Sequence, residues 1–362
     1  MNKEADPGLE ALRRIAGLWR VDADRVIWGE RGFDWWPGSF KVAVMAIPVT
    51  EDQEQEEGPA WRLSVRTAVL KEVPTGATET QIRIASFAAF SPTYGMIYPP
   101  AGLSQQHPTL ADGTLWLQST AYLRSDSVGW LPEFLARMAI LQPIDAQRHA
   151  ENLAAMLGGT PDVSAPQPGS ATDHRDEMLT LADAFYVPIG KEANRWAGTA
   201  EFEECAERFG RNDNCFGVGD PTGVSLETPF GNNSALIRLW TKESHPHLGT
   251  GLLASIQMPV WRNEPEAVNE CAWFNYFEAM SWTGFPQLGS WAPKQSGEHW
   301  GPAMAYLVPN ALYAPGVATN VALWQIARAR WIKQKFFADR QDRPMKDILL
   351  QRWQRPSPSV PG

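Results

Sequence analysis

Apolar positions recur along this chain at two spacings, and the spacings change in an orderly way. In "PGLEALRRIAGL", Leu9, Leu12, Ile15 and Ala16 fall on one helical face just after Pro7, which predicts an opening helix. The runs "RVIWG", "SFKVAVMAIPV" and "WRLSVRTAVLKEV" follow, rich in β-branched and aromatic residues, and predict three strands. Between the last two lies "TEDQEQEEG", an acidic stretch suited to the exposed tip of a hairpin. "TETQIRIASFAAF" then predicts a short helix stopped by Pro92, and "TLWLQSTAYL" a further strand. "VGWLPEFLARMAIL" and "IDAQRHAENLAAML" read as helical stretches broken at Pro143, since an interior proline removes a hydrogen bond and clashes with the preceding turn.

The segment "GTPDVSAPQPGSATDHRDE" has no period and the composition of a linker. Beyond it the same succession returns. "TAEFEECAERFG" predicts a helix ending at glycine, and "CFGVGDPTGVSLETPFG" a hairpin turned at Asp-Pro-Thr-Gly. "SALIRLWTKES" and "GLLASIQMPVW" predict two strands, and "EPEAVNECAWFNYFEAMSW" a helix with Pro265 near its start. A strand, "PAMAYLVP", leads to the helical "VATNVALWQIARARWIKQKFF". Lys41 corresponds to Ser234, Trp61 to Gly251 or Ala254, Phe87 to Phe277 and Val128 to Val317, all at nearly one offset. The expected fold is therefore α+β: two tandem α-β-β-β-α-β-α repeats, with antiparallel sheets flanked by helices, packed as an internal pseudo-dimer. The expected boundaries are 1–158 for the first repeat, 159–198 for a linker and inter-repeat helix, 199–340 for the second repeat, and 341–362 for a C-terminal helix and proline-rich tail.

That element order, with "VNECAWFN" in the short helix of the second half followed by "GSW", resembles the YbjN family, whose fold is shared with class I type III secretion chaperones. Asn269 and Asn275 stand where the family tends to carry asparagines; the first half departs, with Glu79 and Ala85 near those places. The resemblance covers most of the chain as two copies. It implies a small antiparallel sheet flanked by helices, a bacterial setting, and a role in binding rather than catalysis.

Charge and composition narrow the partners. A net charge of −9 disfavours general nucleic-acid binding, which needs a basic footprint. Between Arg328 and Arg355, nine Lys or Arg stand against three Asp; a solvated helix face accounts for such a run, and docking of an acidic partner is the alternative. No apolar run reaches the roughly 18 residues that span a bilayer, and the first residues lack a signal-peptide core. Three cysteines are too few for a disulfide framework, so a cytoplasmic protein is expected. Among seventeen tryptophans, Trp35 and Trp36 are adjacent, and neighbours on a strand point to opposite faces. One of the pair is therefore placed to look away from the core, which makes Trp35 and Trp36 the candidate partner-binding residues.

Reactive chemistry has weaker signals. His245 and His247 in "HPHLGTG" lie two apart, but a metal site needs three or four ligands, and the stretch reads as a turn between strands. "GVGDPTG" lacks GxGxxG spacing and leads into a strand-like segment, which removes the helix N-terminus that phosphate loops use. Cys271 lies inside an apolar helical stretch and reads as a core thiol. Asp213, Asp220, Glu227 and Glu243 cluster along the second hairpin, where solubility is reason enough for them. The expectation is thus a protein-binding or chaperone-like adaptor that takes a protein or peptide segment, with no catalytic residue, metal or cofactor assigned and no nucleic-acid or membrane partner. Internal duplication would let it act as a monomer. The alternatives are an enzyme with an active site at the repeat interface and a structural subunit of a larger assembly.

Overall fold

The computed structural model describes residues 6–19, 23–49, 60–74, 102–105, 114–124, 129–164, 193–212, 214–245, 249–280 and 284–337. Within them the chain is mixed α+β, with two antiparallel sheets and five α-helices. The acidic stretch 51–58, the predicted helix over 78–90, the inter-repeat helix and the tail 341–362 lie outside the described residues.

Helix α1 (Pro7–Leu18) begins under Asp6, whose carboxylate accepts from the N–H groups of Gly8 and Leu9 and so satisfies two donors that a helix start leaves free. Four strands follow as a meander: β1 (Val26–Trp28), β2 (Gly32–Trp35), β3 (Val42–Pro48) and β4 (Ala60–Lys71). Strands β5 (Gly102–Gln105) and β6 (Leu115–Arg124) complete the sheet, in the spatial order β1-β2-β3-β4-β6-β5. Helix α2 (Trp130–Leu157) packs across β4, β6 and α1.

Pro143 does not break α2, contrary to the expectation of two helices. Burial explains its tolerance. Met138, Ala139, Ile140, Leu141 and Gln142 are all buried, and the Gln142 amide donates to the Val65 carbonyl across the sheet at 3.2 Å. These contacts offset the ~3 kcal/mol that an interior proline costs.

The expected linker also starts later than its boundary at 159. Thr160–Pro161 forms β7 against β4, Val163 bridges Phe40, and the Ser164 N–H donates to the Ser39 carbonyl. These residues extend the first sheet.

In the second half, α3 (Glu201–Asn212) precedes the meander β8 (Phe216–Asp220), β9 (Gly223–Phe230), β10 (Asn233–Trp240) and β12 (Gly249–Gln257). The two-residue β11 (Ser244–His245) pairs with β12. Helix α4 (Glu264–Met280), the hairpin β13 (Ser290–Ser296) and β14 (His299–Pro309), and helix α5 (Val317–Phe337) complete it. The order is β13-β14-β12-β10-β9-β8. Each path therefore has a fourth strand in its meander and an edge strand beside the last one, β5 or β13. The expectation of three strands and then one is corrected to four and then two.

Side chains alternate cleanly in the second sheet. Val224, Leu226, Thr228 and Phe230 are buried along β9, while Glu227 and Pro229 between them are exposed. The helices cover the first of these faces: Phe274 of α4 meets Trp291 of β13 and Phe336 of α5. One apolar cluster runs through both halves, from Leu12 and Phe134 to Ile237 and Ile332. Trp130 lies against Trp324, Phe134 against Tyr306, and Thr120 and Gln287 exchange both backbone hydrogen bonds at 2.9 and 2.8 Å. No helix among the described residues is long and apolar enough to cross a membrane.

Candidate functional site

The tryptophan pair is not a surface. Trp35 is 4% exposed and stacks near Trp19, and Trp36 is 6% exposed. Trp35 ends β2, Trp36 lies just beyond it, and the two make separate contacts. Trp35 enters the main core, and the Trp36 indole donates to Ser164 Oγ at 3.0 Å, in the segment that follows α2. The partner-binding assignment of Trp35 and Trp36 is therefore corrected: this protein's own chain occupies the position proposed for a partner.

The basic run is corrected at its first member. Arg328 on α5 is fully buried. Its Nε donates to both oxygens of Glu278 on α4 (3.1 and 3.2 Å), one terminal nitrogen donates to Gln325 Oε1 at 2.7 Å, and the other donates to the Pro286 carbonyl. The guanidinium also lies 4.7 Å from the Phe285 ring centre. Trp291 Nε1 donates to Glu278 Oε1 at 2.8 Å. Burial pushes the Glu278 carboxyl above its ordinary range, and the charge of Arg328 opposes that shift. Nearby Tyr306 is pushed up to about 12 by burial and stays neutral. This network is sealed from solvent, so it fastens α4, α5 and β13 together.

Two other titratable groups are buried on α4. Glu270 accepts from Arg262 Nε at 3.2 Å through one oxygen, while the other has no partner among the described residues. Burial raises it to about 7, against the pull of Arg262. Cys271 is a buried core thiol, as read from the sequence, and burial holds it well above its ordinary value. Cys205 and Cys215 are buried too, and neither forms a disulfide among the described residues.

The backbone of His245 pairs with Gly249, so "HPHLGTG" does connect β11 to β12; His247 lies outside the described residues. No group of three or more His, Cys, Asp or Glu among the described residues could hold a metal. Asp213 also lies outside the described residues. Asp220 is committed to the turn, accepting from the Thr222 N–H and hydroxyl, both at 2.6 Å, and these bonds hold its carboxyl below the ordinary range. "GVGDPTG" is the β8–β9 hairpin, with Gly217 and Gly219 inside a strand.

Among the described residues, the most exposed large apolar side chains lie on edge strands. β8 ends the second sheet, and its Phe216 and Val218 are 69% and 60% exposed, the two highest values among the large apolar side chains described. Their neighbours explain the arrangement. A Cβ on Gly219 would stand 2.4 Å from the Phe202 carbonyl oxygen, and one on Gly217 would stand 3.1 Å from the Ala206 Cα. Glycine at both positions lets α3 sit directly on one face of β8, and the apolar residues alternating with them face the other way. β1 occupies the corresponding edge of the first sheet and carries exposed Ile27 and Trp28. Sequence reading took "CFGVGD" only as half of a hairpin. The signal in it was the alternation of glycine with large apolar residues, which marks a strand with a helix close on one face and nothing on the other.

No protein-family model, no curated protein and no solved structure matches this chain.

Proposed function

We propose that the two halves are tandem copies of one α+β unit of the YbjN and class I type III secretion chaperone kind, packed as an internal pseudo-dimer. On this reading the chain is a non-enzymatic adaptor that holds an extended protein segment. Duplication is supported by strand order, which runs first, second, third, fourth, sixth, fifth in both sheets once the two-residue strands β7 and β11 are set aside. The observation that carries the function is the open edge of β8. A terminal strand offers unpaired backbone N–H and C=O groups, and natural proteins protect such edges unless they are used. Here the edge carries Phe216 and Val218, both exposed, with no strand beyond it among the described residues. Adding a strand there would supply backbone hydrogen bonds for affinity and alternate side-chain contacts for selectivity.

An array of roughly twelve-residue peptides of varied composition tests this. The full chain should bind a subset with alternating apolar residues, and the F216S/V218S variant should lose that subset while melting at the same temperature. Equal binding by both proteins, or binding by neither, would overturn the reading.

A further inference from the structure

We infer that the segment taken at β8 is one in which apolar residues alternate with lysine or arginine; this rests on the adaptor reading above and specifies its partner. A strand added beside β8 would lie about 4.8 Å away, with its side chains pointing alternately to the two faces of the sheet. On the outer face they meet Phe216 and Val218, which call for apolar partners. On the other face they meet the flank of α3. The close seating of α3 on the glycines fixes which flank that is: the Glu203 Cα stands 2.9 Å from the position of a Cβ on Gly219. Glu207 follows one turn later on the same side of the helix. Both are exposed. Glu207 shares its charge with Arg211 at 3.0 Å, whereas Glu203 has no ion pair among the described residues. On the outer face, Glu227 pairs in register with Phe216 and is also exposed and without an ion pair among the described residues. The open edge therefore has an apolar line on its outer face and carboxylates on its α3 flank, with Glu227 behind Phe216 on β9.

The same charges select against a second copy of this chain as the occupant. Pairing β8 with another β8 would bring the acidic α3 flanks of the two copies, each with Glu203 and Glu207, to the same seam, where like charges repel. An alternating apolar and basic segment would instead place its cations at the α3 carboxylates and its apolar side chains on Phe216 and Val218. Electrostatic complementarity of this kind acts chiefly on partner choice and association rate.

Fluorescein-labelled peptides of roughly nine residues, one alternating valine with lysine and one alternating valine with glutamate, provide the probe. Anisotropy on the full chain near physiological salt should show binding of the Val–Lys peptide, and hydrogen exchange should show slowed amides at 216–220. F216S/V218S should weaken that binding about tenfold or more, and E203K/E207K should reverse the preference toward the Val–Glu peptide. Equal binding of both peptides at β8 would overturn the charge inference and leave the adaptor reading standing. Binding that protects other residues, or no binding of either peptide, would end both. A concentration-dependent dimer in sedimentation that F216S/V218S abolishes would make a second copy the occupant and overturn the proposal.

Discussion

Replacing Arg328 with methionine keeps most of the side-chain volume and removes the charge. The wild-type guanidinium is fully buried and donates to Glu278, Gln325 and the Pro286 carbonyl. In R328M, Glu278 keeps only the Trp291 N–H, and a buried carboxylate without its cation costs about 3–5 kcal/mol. Leaving the Pro286 carbonyl unpaired adds ~1 kcal/mol or more. The expected loss is therefore about 4–6 kcal/mol, read from the urea midpoint followed by tryptophan fluorescence. The double variant E278L/R328M removes both charges and should recover most of the loss, ending within ~2 kcal/mol of wild type, since apolar replacements of buried ion pairs are often neutral or better. The pH dependence has a definite sign. Burial already raises Glu278, and without Arg328 it rises further. A carboxyl held above its unfolded value adds stability below the unfolded pKa of about 4.3 and loses it as pH rises through the folded value. The deficit of R328M should thus be largest near pH 8 and shrink toward pH 5. An equal deficit at both pH values, or a double variant as unstable as R328M, would refute the reasoning.

Glu270, raised to about 7 against about 4.3 unfolded, should make stability fall as pH rises from roughly 5 to 8, and E270Q should flatten that slope in thermal melts. G219A should cost ~1–3 kcal/mol because its Cβ meets the α3 backbone, whereas G17A, at an exposed position in α1 with nothing within 4 Å, should stabilise by ~0.5–1 kcal/mol. Chemical denaturation of both separates crowding from helix propensity. W35S and W36S should each cost ~3 kcal/mol or more, because both rings are buried; a melting temperature within a degree of wild type for either would contradict their placement.

Much of the fold was legible where a period persists over many residues. The α1 stripe, the long runs of β3, β4 and β12, and the hairpin at Asp220–Gly223 all follow from local pattern. β13 was missed because "SWAPKQS" is polar and contains Pro293. It is an edge strand, where proline is tolerated and alternation is weak. β2 was missed because "GFDW" is four residues between turns and is held by its neighbours on both sides. Pro143 misled because local helix rules carry no information about Val65, which lies 77 positions from Gln142 in sequence and accepts from its amide. Arg328 misled for the same reason: its partner Glu278 is 50 residues distant, so only the folded chain separates it from the exposed cations that follow. At the site, the carboxylates of the second hairpin were named from the sequence, but the apolar residues between the glycines were not. Their exposure depends on where α3 comes to rest.

The two kinds of edge differ in what they touch. On the inner side, α4 and β13 pack against β5, and Gln287 bridges to Thr120 of β6. The Pro286 carbonyl is held by Arg328, the next residue exchanges backbone hydrogen bonds with Thr120 of β6, and Phe285 lies under the guanidinium. The buried cation of Arg328 thus holds the segment that meets β6 of the other half. On the outer side, β1 and β8 stand at the far ends of their sheets, with β8 four strands from β14. Apolar residues there contribute nothing to that joint. Their exposure at matching ends of two sheets of the same order is what a pair of fused binding units would present, one edge to each unit.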